Sequence, residues 1–347
     1  MKTMRELFNK DIITPMEQFL TKFRIPMWIL LAVVLLAWPH FGFNTFHMRL
    51  FIMIGIFSML GLGLNILTGY TGLVSLGHAG FFAIGAYTSA LLMIHTDLHF
   101  LITLVAAAVT SAFAGFLLGL PTLRLSGNYL TIVTLGFGEI VRMIIMNWRS
   151  VTNGVLGIRS PRPVMFGMEF TFANHGFYYT MLGLLLLTSL ACVAVIRSRT
   201  GRAFLAIKED EIAATMMGIR ITRFKILAFT LSAIITGVAG GFYASLMPHI
   251  DHDVFTFDVS VLILSVVIVG GMGTMRGMFL GAIILIAFPE VSRFLMEYRF
   301  VVYGLLLIIM MRFRPQGILG WKSRMPYKLP TLVKKKLKEE EKQQWHT

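Results

Sequence analysis

Residues 61–94 read "GLGLNILTGYTGLVSLGHAGFFAIGAYTSALLMI". The stretch is apolar enough to sit in lipid, yet it is crowded with glycine, serine and threonine and carries His78. Its core, "TGYTGLVSLGHAG" (68–80), packs four glycines, two threonines and a serine into thirteen residues. Small residues let helix backbones approach closely in a membrane, where apolar burial drives association weakly. Glycine also permits unwinding and exposes polar backbone, which lipid tolerates only inside the protein or beside a cavity. The composition of 68–80 favours the second reading, a broken helix near a cavity.

The rest of the chain has the composition of a membrane protein. Of 347 residues, 56% are hydrophobic and only 14% charged, with a mean hydropathy of +0.76. A soluble domain of that length needs more charged surface. The net charge of +14 fits cytoplasmic loops and anionic lipid rather than nucleic acid, because no nucleic-acid module is encoded. Cys192 is the single cysteine, so no disulfide framework exists. The run "PMWILLAVVLLAWPHFGF" follows a polar segment of mixed charge with no small-residue cleavage site after it, and it reads as a retained first transmembrane helix rather than a signal peptide.

Apolar runs of about 17–25 residues mark bilayer crossings. They fall near 27–46, 50–68, 73–94, 101–120, 129–148, 178–196, 226–247, 257–275, 278–296 and 299–313, with Pro289 interrupting the ninth. With the N-terminus inside, ten spans put 24 of the 31 Lys and Arg on inner segments and six on outer ones, with Arg142 inside a span. That asymmetry predicts both termini in the cytoplasm. The fold expected is all-α and polytopic: a cytoplasmic segment 1–26, a transmembrane domain 27–313, and a basic cytoplasmic tail 314–347. The outer loop 149–177 is rich in Gly, Pro and Asn. The inner segment 197–225, "RSRTGRAFLAIKEDEIAATMMGIRITRFK", has a helical pattern instead, with Phe204, Ile207, Ile212, Met216 and Ile219 recurring every three to five residues. It predicts one cytoplasmic amphipathic helix over 203–218 that stops at Gly218. Such a helix suits a groove on a partner protein. The acidic "KEDE" (208–211) argues against its lying on anionic lipid.

Chemistry-bearing signals are sparse. No P-loop is present, and "GGMGTMRG" (270–277) reads as a tight inner turn followed by small-residue helix packing rather than a dinucleotide loop. Glu139 and Arg142 in "TLGFGEIVRMII" are one helical turn apart. They read either as an internal ion pair anchoring the bundle or as a pair lining a pathway. His78 reads first as a hydrogen-bonded packing residue. The clusters "HTDLH" (95–99) and "PHIDHD" (248–253) hold metal-binding residue types at spacings that fit no tight site, so no metal is expected. There is no relay of acids across several spans and no filter sequence repeated as in a channel. Energy, if any is used, must come from a partner.

"EIAATMMGI" (211–219) resembles the EAA loop of ABC-importer permeases, with the acidic residue one place from its commonest position. The surrounding 198–244, together with "GLNILTGYTGLVSLGHAGFFAIGAYTSALL", "LRLSGNYLTIVTLGFGEIVRMIIMNW", "GGMGTMRGMFLGA" and "RPQGILG", resembles the permease family of high-affinity branched-chain amino acid importers, over roughly 50–320. The resemblance implies a multi-pass subunit of a bacterial or archaeal inner-membrane complex. A second homologous permease, two cytoplasmic ATPases and an extracytoplasmic solute-binding protein would complete it. This chain would bind no cofactor itself, ATP-Mg being held by the ATPases, and would catalyse no reaction. Glu211, Ala213, Ala214 and Gly218 are then the residues expected to couple to the ATPases. Ser75, Gly77, His78, Glu139 and Arg142 are the candidates for the translocation pathway. A related importer for urea or short amides is the alternative within the class. A free-standing carrier or channel is the alternative outside it, disfavoured by the EAA-like loop.

Overall fold

The computed structural model describes residues 39, 44–96, 98–122, 127–165, 168–171, 175–288, 299–314 and 317–319. The first expected span (27–46), the segment 1–26, the tail beyond 319 and Pro289 lie outside them or nearly so. The described residues form an all-α membrane bundle. Five of its helices are long and apolar enough to cross a bilayer. In chain order these are α1 (Thr45–Leu64, continued by a π-helical segment Asn65–Tyr70), α3 (Phe100–Thr122), α4 (Asn128–Asn147), α5 (Gly176–Arg197) and α8 (Ile221–Leu246). Between them stand α2 (His78–His95), the short α6 (Arg199–Glu209) and α7 (Glu211–Met216), then α9 (Phe257–Gly270), α10 (Met275–Ala282, with a π-helical extension Ile283–Ala287) and α11 (Arg299–Phe313).

Helix α8 is the centre of the bundle, with α3, α2 and α1 around it. Small residues make that packing possible. A side chain added at Gly85 of α2 would run into the backbone of Gly237 on α8, and one at Gly115 of α3 would meet Ala233 and the backbone of Phe229. The backbones therefore touch, as expected where close approach replaces apolar burial as the driving term. The large apolar side chains go to the periphery instead. Val105, Val109, Phe113 and Leu117 on α3, and Leu186, Leu187 and Leu190 on α5, are exposed, the pattern of lipid-facing helix surfaces.

The broken helix expected at 68–80 is present. The α-helical pattern of α1 loosens into a π-helical turn at Asn65, and residues 72–77 are non-helical before α2 starts at His78. The span drawn at 257–275 is shorter in the structure. Helix α9 stops at Gly270 because Gly271, at φ +114°, turns the chain in a conformation that side-chain-bearing residues rarely adopt. A turn then leads into α10, where Gly277 packs on Gly270. The segment after α11 folds back onto this end, its Ile318 and Leu319 amides donating to the carbonyls of Val269 and Gly270 at 2.9 and 3.1 Å. The predicted tight turn and small-residue packing at 270–277 are both observed.

Long-range contacts sort the loops into two ends. At one, a two-residue strand β1 (Ile158–Arg159) pairs antiparallel with β4 (His249–Ile250), while β2 (Val164–Met165) and β3 (Met168–Glu169) form a small hairpin. The loop before α5 and the loop after α8 are thereby tied together. At the other end the Lys208 ammonium of α6 donates to the Gly69 carbonyl at 2.7 Å, and the Asn65 amide spans the turn before α10.

Candidate functional site

Polar side chains buried in the break hold its freed backbone groups, which lipid offers no water to satisfy. The Thr68 hydroxyl donates to the Leu73 carbonyl at 3.1 Å, the Thr71 hydroxyl to Leu67, and the Leu76 amide to the Thr134 hydroxyl on α4 at 3.1 Å. The Ser260 hydroxyl on α9 accepts from the Ala79 amide at 3.0 Å. His78 is fully buried. Its Nε2 lies 2.7 Å from Ser232 Oγ, and Ser232 donates to the Gly63 carbonyl, also at 2.7 Å. The one hydroxyl proton of Ser232 is thus used, so His78 donates through Nε2, and its Nδ1 accepts from Ser75 at 3.3 Å. Thr68, Thr71, Ser75 and His78 of the opening stretch satisfy the polar groups of a broken helix. Ser75, Gly77 and His78 all lie within the bundle.

Glu139 and Arg142 come together as their spacing predicts, with Arg142 Nη1 3.4 Å from Glu139 Oε2. They are not alone. Arg142 Nη2 reaches Asp253 Oδ1 at 3.3 Å, and Arg142 Nε points at the His252 carbonyl at 3.4 Å. Asp253 belongs to the single helical turn His252–Phe255 that follows β4, a turn capped by Asp251. The pair of the sequence is therefore a trio at the loop end of α4. Asp253 is 111 residues away in sequence, too far for any local pattern to reveal.

The flank of α4 that bears this pair is distinct from its other faces. Leu130, Thr134, Val141 and Ile145 are buried, whereas Tyr129, Ile132, Ile140, Met143 and Ile144 are exposed. Thr131, Gly138, Glu139 and Arg142 lie between, half-buried. Along that flank the Thr131 hydroxyl donates to the Val74 carbonyl at 3.3 Å, and Gly138 faces Gly77. The break and the polar flank of α4 are one surface.

The segment expected to form one inner helix over 203–218 is two. Asp210 leaves the helical conformation at φ −159°, and its carboxylate accepts from the amides of Ile212 and Ala213 at 2.8 and 3.0 Å. It is the N-cap of a new helix, so the apolar pattern belongs to two faces. Phe204 and Ile207 on α6 are buried, whereas Ile212, Met216 and Met217 are exposed. At the far end Gly218, at φ +81°, closes α7. Its amide donates to Thr215, and that of Ile219 reaches back to Ala214, a Schellman motif. The helix stop at Gly218 is as predicted. Of the four expected coupling residues, Ala213 and Gly218 are exposed, Ala214 packs inward, and Glu211 turns back to α8. There the Lys225 ammonium meets Glu211 at 2.7 Å. Sequence reading gave no structural role to Lys225, Lys208, Asn65 or Asp210, although it used the charge of the 208–211 group. A charge at the edge of a span, an amide within one and an acid before a helical run are the signals each offered. Among the described residues no three His, Cys, Asp or Glu side chains group to hold a metal.

Residues 47–311 match the family described as the permease component of the branched-chain amino acid transport system. The chain belongs to that family of permeases. The permease is 41% identical over 312 residues to the high-affinity branched-chain amino acid transport system permease protein LivM of Salmonella typhimurium, covering 83% of this chain and 73% of that protein. It is 40% identical over 314 residues to LivM of Escherichia coli K12, covering 84% and 74%. The permease protein LivH of the same strain is 28% identical over 287 residues, covering 76% of this chain and 91% of LivH. No solved structure matches this permease.

Proposed function

We propose that the chain is the permease subunit of an ABC importer that moves branched-chain amino acids (leucine, isoleucine, valine) across the inner membrane. It acts with a second homologous permease, two ATPases that bind ATP-Mg, and an extracytoplasmic binding protein. In this reading ten helices cross the bilayer, both termini and the 197–225 loop are cytoplasmic, and domain 27–313 is flanked by the segments 1–26 and 314–347. Helix α7 is the coupling helix. The observation that carries the reading is α7 itself, a six-residue helix capped at both ends, whose apolar Ile212, Met216 and Met217 point away from the bundle while Glu211 anchors it to α8. An exposed apolar tip on a firmly held helix fits a groove on a partner. The anchors then carry the partner's motion inward: Lys225 to α8, and Lys208 to the π-helical end of α1.

The solute pathway in this reading runs along the polar flank of α4 and the break at 72–77, with Glu139 and Arg142 on its wall and Ser75, Gly77 and His78 setting the backbone behind it. The second permease would close the other side. Replacing Ile212 and Met216 together with glutamate tests the coupling assignment. The permease should still accumulate in the membrane while the ATPases no longer co-purify and leucine uptake falls to background. Normal co-purification and uptake would reject it.

A further inference from the structure

Arg142 is loosely held by its partners. Its three acceptors, Glu139, Asp253 and the His252 carbonyl, stand at 3.4, 3.3 and 3.4 Å. A tight charge-assisted bond is about 2.7–2.9 Å, the separation that Lys225 and Glu211 reach. The guanidinium is thus held between two carboxylates without a bidentate bond to either. The two acids outnumber the one base. His252 lies against Asp253 through Nε2 at 3.4 Å, and its buried Nδ1 has no hydrogen-bond partner. Asp253 is largely exposed, its side chain retaining 70% of its accessible surface. The cluster therefore combines a fork-shaped donor with spare bonding capacity, an excess carboxylate open to solvent and an unsatisfied buried nitrogen, at the loop end of the polar flank of α4.

We propose that this trio engages the charged head of a zwitterionic amino acid as it enters the pathway. Arg142 takes the solute carboxylate, exchanging a long contact for a short bidentate one, and the displaced Asp253, with Glu139, takes the ammonium. A zwitterion brings one charge of each sign, so every group in the cluster stays paired while the solute passes. An anionic solute would add a third carboxylate against one guanidinium without bringing an ammonium, and like charges repel strongly in a partly dehydrated site. The inference rests on the pathway reading above and adds to it the chemistry of the recognition step. Glu139, Arg142 and Asp253 are binding residues here, not packing pairs.

The test uses the whole complex, with its ATPases and binding protein, in liposomes. Leucine taken up per ATP hydrolysed is measured for Arg142→Lys, Asp253→Asn and the double variant Glu139→Gln/Arg142→Gln. Lysine keeps the charge and loses the fork. The expected result is a fall of at least tenfold in that ratio for both single variants and no recovery in the double variant. A merely structural pair would lower uptake and hydrolysis together with membrane yield, keep the ratio at the wild-type value, and regain both in the double variant; that outcome overturns the proposal, as does a wild-type ratio at full yield. Cysteines placed at Thr131 and Leu135 separate this from the pathway reading. If a water-soluble thiol reagent modifies them and leucine protects them, the pathway stands and the ratio alone judges the trio. If neither is modified, the pathway reading fails and the trio's role fails with it.

Discussion

Two ion pairs in this protein illustrate how burial decides what a charge change does. Lys225 keeps 5% of its side-chain surface and Glu211 keeps 43%. Removing the lysine leaves a carboxylate that water reaches, at small cost. Removing the acid leaves an ammonium enclosed in the bundle, and stranding a buried charge costs about 3–5 kcal/mol when no water relieves it. Glu211→Gln should therefore lower the membrane yield of folded permease severalfold, and Lys225→Met much less. Equal losses, compared by quantitative blotting of membranes, would contradict the asymmetry. The Arg142 trio follows the same rule with a different result. The sequence alone presents a lone pair, in which either single change strands a partner. Asp253 alters that expectation, since Glu139→Gln leaves Arg142 with a second carboxylate. Glu139→Gln should reduce folded yield less than Arg142→Gln, which strands the partly buried Glu139 while water reaches Asp253.

Among the elements, those written in hydropathy were legible and those written in hydrogen bonds were not. The long runs of apolar residues marked α1, α3, α4, α5 and α8, because lipid burial demands them whatever the neighbours are. The break before α2 was legible from glycine, serine and threonine. The interruption between α6 and α7 was missed, since Phe204, Ile207, Ile212 and Met216 look like one stripe until Asp210 turns and caps the next helix. A six-residue helix is too short to persist by its own hydrogen bonds, so its caps matter more than in the long helices. Replacing an N-cap acid by alanine costs about 1 kcal/mol, roughly a fivefold loss in the folded population of α7. Asp210→Ala should weaken ATPase co-purification by about that factor, and Asp210→Asn, which retains the acceptor, should keep it. Gly218→Val should do more damage than either, because φ +81° strains a β-branched residue.

For the whole molecule, the polar contacts across long sequence distances turn separate spans into a topology. Pairing of β1 with β4 forces the loop before α5 and the loop after α8 onto one end, and the Lys208–Gly69 bond places the α6–α7 segment with the break and the turn before α10 on the other. The sequence supplied only the bias of Lys and Arg, which predicts which end faces the cytoplasm but not which loops meet. The two arguments are independent and must agree. Leu156 sits exposed in the loop before α5 and Met217 at the end of α7, and the native Cys192 is buried, so background labelling is low. In intact cells or right-side-out vesicles, an impermeant thiol reagent should modify Leu156→Cys and spare Met217→Cys until the membrane is opened. Labelling of both from outside would mean that the two loops share a face, contrary to the bonds that separate them. Labelling of Met217→Cys alone would keep the bundle and reverse its orientation, and α7 would then face away from any cytoplasmic ATPase. The coupling assignment therefore stands on this single comparison as much as on the shape of the helix.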